Sequence, residues 1–288
     1  GARAMGMGGG SVAVINEYSS YYNPAGLVFL KGKYVSSTYN SMSLDRNLFC
    51  LLYAQSFENE KNEARNIRAG FSGGVISAGV SSIDGRDLNG IHTQMYSTSE
   101  NCFFFSFALM PSPFFSVGLS GKVLYYRLPE VTWDDGALSS TGFGFDFGVM
   151  VKPKKHLSLG IAIKDVMAKY NWDTQNVYEQ GVQTVDTFLV RFRAGAAYDS
   201  LFNRITLTFD IEKIEYFPVF FYTGVEFKLI DYLTLRSGLR NGDVTFGFGT
   251  ELNILDRKMF FDYGYISEPV APGNIHIFTW SLCLGGSQ

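Results

Sequence analysis

Twelve charged side chains recur at alternate positions of otherwise apolar or small-residue segments: Lys122, Asp146, Lys164, Arg191, Arg193, Asp210, Glu212, Glu226, Lys228, Arg236, Glu251 and Asp262. Period-two spacing sends them all to one face of a sheet. Six are basic and six acidic, and balanced charge on the inside of a closed wall reads either as an ion pathway or as a network that neutralises itself through paired groups. A selective channel calls for one sign in excess, so the reading is structural, and a selective porin is not expected. The rest of the chain offers little chemistry. His92, His156 and His276 have no neighbouring nucleophile motif, so no catalysis is expected. Cys50, Cys102 and Cys283 lie far apart and form neither a CxxC pair nor a metal cluster. No cofactor and no metal is implied.

The elements that must carry these charges follow from composition. Charged residues make up 18%, apolar residues 46% and aromatic residues 16% of the 288, with 31 glycines, a mixture suited to pleated strands and turns rather than helices. The net charge of −3 is spread along the chain, which excludes a nucleic-acid partner needing a concentrated positive face. The uncharged run from Asn101 to Gly121 holds Pro111 and Pro113 at its centre, so it reads as two strands and a turn, not a membrane helix.

From Lys33 onward the pattern alternates. In Gly142 to Pro153, Phe143, Phe145, Phe147, Val149 and Val151 oppose Gly144, Asp146, Gly148, Met150 and Lys152. The repeat recurs in about fourteen segments of roughly ten residues, the length of a tilted strand crossing a bilayer. Leu157 to Tyr170 and Thr187 to Tyr198 are read as two of these strands, and Ile67 to Asp84 as a long one with room for two. A soluble β-sandwich also alternates, but its second face carries many water-loving side chains. Here that face is Gly, Ala and Ser with isolated charges, which suits a crowded lumen. The expected fold is all-β, a 14-stranded antiparallel transmembrane barrel over residues 32–285. Asp84 to Tyr96, Pro129 to Ser140, Asn171 to Val185 and Glu268 to Gly273 are placed outside the cell. Pro111 to Pro113, Lys154 to His156 and Asn241 to Asp243 are short connections of the kind expected at the periplasmic end. Phe104, Tyr126, Phe220 and Tyr222 face inward or to the rim and supply a candidate apolar lining.

Residues 1–31 break the alternation and read as a separate element. Gly1 to Gly10 is glycine-dense but lacks the Lys and Ser or Thr of a phosphate loop, and suits a compact segment packed closely against other surfaces. Asn23-Pro24 favours a turn, and Gly26 can absorb an unusual dihedral. The sequence Gly1-Ala-Arg-Ala-Met-Gly-Met-Gly-Gly-Gly10, then Val12-Ala-Val14, then Tyr22-Asn-Pro-Ala-Gly-Leu27 resembles the N-terminal signature of PorV/PorQ-type outer-membrane proteins, within the wider FadL-like barrels.

That resemblance implies that the opening segment is a hatch inside the barrel, with Arg3, Gly6, Gly8, Gly9, Asn23, Pro24, Ala25 and Gly26 as its motif. It implies an outer-membrane location with the signal peptide already removed. It also implies passive, gated transport of a hydrophobic, fatty-acid-like molecule that leaves sideways through the wall. The alternative from the same resemblance is a PorV-like scaffold that binds a secreted or outer-membrane protein, in a type IX secretion system or another assembly. Lipid of the outer membrane is the expected surrounding partner in both.

Overall fold

The computed structural model describes residues 1–58, 68–128, 137–175, 181–200, 204–254, 257–267 and 273–285. Fourteen strands close into one antiparallel barrel. In chain order its first seven are β1 (Lys33–Ser41), β2 (Arg46–Glu58), β3 (Arg68–Arg86), β4 (His92–Ser112), β5 (Phe115–Leu128), β6 (Leu138–Lys154) and β7 (Leu157–Val166). A two-stranded hairpin, β8 (Lys169–Asp173) and β9 (Gln183–Thr187), then forms a sheet of its own, with β8 packed against β6. The wall resumes with β10 (Arg191–Asp199), β11 (Ile205–Ile214), β12 (Val219–Ile230), β13 (Leu233–Arg240), β14 (Asp243–Ile254), β15 (Arg257–Ser267) and β16 (Asn274–Cys283). Each wall strand pairs with its neighbours in sequence, β7 with β10, and closure comes from β1 against β16, in register from Tyr34↔Cys283 to Ser41↔His276.

The alternation sorts as expected. On β6, Phe143, Phe145 and Phe147 are exposed while Gly144, Asp146 and Gly148 are buried. The same outward apolar set recurs around the ring, in Phe103, Phe105 and Phe107 on β4, Leu207 and Phe209 on β11, and Phe246 and Phe248 on β14. A ten-residue strand such as β11 is about 34 Å long and, at the usual tilt, about 25 Å tall, the height of the apolar band of a membrane barrel. In a closed wall backbone groups pair from strand to strand, so an apolar outer face is the form expected of a barrel that meets hydrocarbon. No helix among the described residues is long and apolar enough to cross a membrane.

Two expectations need correction. Leu157 to Tyr170 is not one strand: β7 ends at Val166, where Asp165 and Met167 take positive φ of 62° and 59°, and the chain turns into the hairpin. Sequence parity does not register such a turn, because the alternation resumes on its far side. Ile67 to Asp84 is one long strand as expected over its described residues, β3, with a register shift between Val80 and Ile83. The Asn241-Gly242 turn joins β13 to β14 at the same end as the β3–β4 and β8–β9 connections, so short turns do not mark one end. The Pro129 to Ser140 and Glu268 to Gly273 loops lie largely outside the described residues, as does the middle of Asn171 to Val185.

Residues 1–30 form a short helix α1 (Ala2–Gly6), a second, α2 (Ser19–Tyr22), and a 3-10 turn, Pro24–Phe29. Helix α1 packs on β13 to β16 and the 3-10 turn on β2 to β6, so thirty residues touch the inner faces of strands on opposite sides of the ring. Asn23 caps the 3-10 turn by accepting from the Ala25 N–H at 3.1 Å, with Pro24 at the first position. Its Nδ2 donates to the Val12 carbonyl at 2.9 Å and the Val149 carbonyl at 3.0 Å, which ties the turn to β6.

Backbone meets backbone where wall glycines lack a side chain. Gly8, at φ +67°, has Thr223 and Leu239 carbonyls beside it, and a Cβ on Gly238 would lie 2.3 Å from the Gly8 nitrogen. Gly238→Val is therefore expected to displace residues 6–10 while leaving the wall closed, since the added bulk costs about 1–3 kcal/mol on that contact alone. Limited proteolysis at Arg3, with heat-modifiable gel migration as the control for the wall, checks it; an Arg3 site as protected as in the parent protein contradicts it.

Candidate functional site

Inward charges gather into three clusters. On β5 to β7, Lys122 bonds Asp146 at 2.6 Å and also Asp165, whose second oxygen holds Arg191 at 2.7 Å. On β10 and β11, Arg193 reaches Asp210 at 2.9 Å, and the same carboxylate accepts the Ser11 and Val12 backbone N–H groups at 2.7 and 2.9 Å. On β12 to β15, Glu226 is held by Arg236 at 2.6 Å and by Arg3 at 2.8 Å, and Arg236 continues to Asp262 at 2.6 Å. Burying such charges is tolerable because each is paired and hydrogen-bonded. Two of the three clusters bind residues 1–12 directly, so the network holds the N-terminal segment as well as the wall.

Not every residue of the twelve joins in. Lys228 and Glu251 instead meet Asp231, at 3.7 Å, and Lys258, at 2.7 Å, near the strand ends. Glu212 accepts the Tyr222 hydroxyl at 2.6 Å. Lys164, although buried, has no ion pair among the described residues; its Nζ stands 3.8 Å from the centre of the Tyr21 ring. Two members were not read from the alternation. Asp165 follows Lys164 and by parity faces outward, but its positive φ rotates it in, and its N–H donates to Asp146 at 2.8 Å where the β6–β7 ladder is interrupted. Arg3 stands in the segment without periodicity, so no pattern paired it with Glu226.

Two cavities flank the N-terminal segment. One, of about 440 Å³, lies at the end where β12 joins β13 and mixes charged side chains, among them Arg3, Glu17, Asp231 and Glu251, with apolar ones such as Phe29 and Phe260. The other, of about 210 Å³, lies between β3 to β7 and Tyr21, with Ile76, Cys102, Phe104, Leu124 and Phe188 as its apolar lining. Above it, Tyr126, Tyr170, Trp172 and Phe188 stack with ring centres 5.4 to 6.0 Å apart, and the Tyr170 hydroxyl donates to Glu100 at 2.8 Å. The hairpin thus brings Tyr170 and Trp172 over the cavity mouth.

Of the four aromatic residues expected to line a pocket, Phe104 lines this apolar cavity. Tyr126 belongs to the aromatic stack above it. Tyr222 lines a smaller, polar cavity of about 90 Å³, with the Arg193 guanidinium 4.3 Å from its ring centre. Phe220 stands opposite Glu212 in the ladder, half-buried, and lines none of these cavities. No group of ligating side chains able to hold a metal ion occurs among the described residues.

Against known structures this architecture has clear counterparts. The toluene transporter TbuX of Ralstonia pickettii superposes with a TM-score of 0.65 at 12% identity, over 98% of this chain and 96% of that one. The P. putida toluene transporter TodX gives 0.59 at 14%, over 98% and 96%. A Pseudomonas aeruginosa FadL homologue gives 0.58 at 10%, over 98% and 97%. The barrel has the fold of the FadL-type transporters. At these identities the likeness is one of fold alone. No protein-family model matches the sequence, and no curated protein matches it.

Proposed function

We propose that this chain is an outer-membrane barrel for gated passage of a hydrophobic small molecule, with residues 1–31 acting as its hatch. The observation that carries the reading is the apolar cavity of about 210 Å³ on the inner side of the wall, roofed by aromatic rings and floored by the N-terminal segment. A concave, mostly apolar site with few polar groups is the usual form of a small-molecule site. The charge clusters support the hatch, since they spend most of the inward ions on one another and on the segment rather than on a water-filled path. A side exit would open at the seam between β6 and β7: among the described residues Leu138 to Gly144 of β6 have no ladder partner on that side, and β8 packs across the inner face of that stretch.

The fold shared with TbuX, TodX and the FadL homologue agrees with this reading; TbuX and TodX are toluene transporters, and TodX is a monoaromatic hydrocarbon channel. Cells whose outer membrane carries the chain are expected to take up a labelled monoaromatic or fatty-acid-like probe faster than cells without it, with uptake of a sugar of similar size unchanged. Equal stimulation of both overturns the gated reading, and stimulation of neither overturns transport. A PorV-like protein partner is the second reading, drawn from the β8–β9 hairpin, which exposes Val182 and Val185 beyond the wall; a stoichiometric protein in pull-downs from outer membranes supports it.

A further inference from the structure

Lys164 is the anomaly of the interior. It is 5% exposed, yet no carboxylate pairs with it among the described residues, and its ammonium rests on the Tyr21 ring at the junction of the apolar cavity with the smaller polar one. The nearby acids are committed elsewhere: Asp146 to Lys122 and the Asp165 N–H, and Asp165 to Lys122 and Arg191. Glu100 stands towards the other end of the cavity, level with Tyr126 in the β4–β5 ladder, and accepts the Tyr170 hydroxyl. Facing Lys164 from the polar cavity are Arg191, Arg193 and Arg240, with Glu212 bonded to Tyr222. A ring face alone does not repay the desolvation of a buried ammonium. An anion supplied from outside would.

We infer that the cavity binds a small monoanionic amphiphile, a monocyclic aromatic or short-chain carboxylic acid, with its carboxylate on Lys164 and its apolar body among Phe104, Leu124 and Ile76. This rests on the hydrophobic-ligand reading above and narrows it by charge and size. A cavity of about 150 Å³ holds benzene, so the 210 Å³ here has room for a ring and a carboxylate but not for a hexadecyl chain. Lys122 and Arg191, already bridged by Asp165, keep the carboxylate end of the cavity polar without competing for the ligand's charge.

Calorimetric titration of the full chain in a non-ionic detergent, with benzoate, benzyl alcohol and hexadecanoate as probes, tests this. Benzoate is expected to bind about tenfold or more tighter than benzyl alcohol, the increment of a hydrogen bond to a charged group. Lys164→Met is expected to abolish that advantage while leaving benzyl alcohol unchanged, and Lys164→Arg to retain most of it. Equal binding of benzoate and benzyl alcohol overturns the inference and leaves the hydrophobic-ligand reading standing. Binding of neither overturns both, and hexadecanoate matching benzoate overturns the size limit. Equal loss of both probes in a folded Lys164→Met, judged by heat-modifiable migration, assigns the residue a structural role and also overturns it. If that variant does not fold, the ranking of the three probes on the parent protein decides.

Discussion

Removing residues 1–31 is expected to turn a closed barrel into a conducting one. Eight-stranded barrels are filled by their own side chains, whereas those of 16–18 strands leave an aqueous channel. Fourteen strands fall nearer the second case, and here the space is taken up by α1, α2 and the 3-10 turn, which together reach from β2 round to β16. The wall itself does not depend on them, because its ladder closes through β1 and β16. In planar bilayers the full chain should stay near background and the shortened one should show porin-like steps of conductance. A full chain that already conducts, or a deletion that folds and remains silent, refutes the hatch.

Asp210→Ala is expected to be the most disruptive single substitution inside the barrel. The carboxylate is 1% exposed and takes three donors at once: the Ser11 and Val12 N–H groups and the Arg193 guanidinium. Truncation strands two backbone donors and a nearly buried cation, and breaking a buried pair by removing one partner costs about 3–5 kcal/mol. Because two of the three donors are on residues 11 and 12, most of that loss should fall on docking of the N-terminal segment rather than on the wall. Hydrogen exchange resolved by residue checks this: the amides of residues 8–14 should lose protection while those of β10 and β11 keep theirs. Uniform loss across both strands would place Asp210 in the wall's own stability instead.

The wall was legible because its physics is periodic. Each outward position needs an apolar side chain against hydrocarbon and each inward one a small or paired side chain, so Phe143, Asp146, Leu207 and Asp210 announce their faces. What was not legible is aperiodic. At Asp165 a single left-handed residue reverses a side chain and ends a strand, and nothing in Ile163-Lys164-Asp165-Val166 distinguishes that bend from continued alternation. The Arg3–Glu226 contact joins residues 223 positions apart through a segment with no repeat. One signal was present but read too generally. The small inward residues spell a crowded lumen in the sequence, and several of them are contact points in the fold: a Cβ on Gly148 would meet the Asn23 Oδ1, and one on Gly224 the Met7 carbonyl. Runs of inward glycine on neighbouring strands mark where another backbone lies against a sheet.

On the proposed membrane reading, the departure of β7 from the wall also limits how far lipid can rise on that side. Unpaired strand edges are not tolerated in hydrocarbon, so lipid would stop near Phe145, the last β6 residue before the ladder lapses. Phe145 is in register with Gly121, Phe105 and Gly73 across β5, β4 and β3. The stretch of β3 from Gly74 to Arg86, with its β4 partner, continues past that row for on the order of 40 Å along the strand. The β13–β14 side stops almost at once, at Asn241 and Gly242. The rim of the barrel is therefore tall on one flank, where it is crowned by the exposed Leu88, Ile91 and Met95, and low on the other.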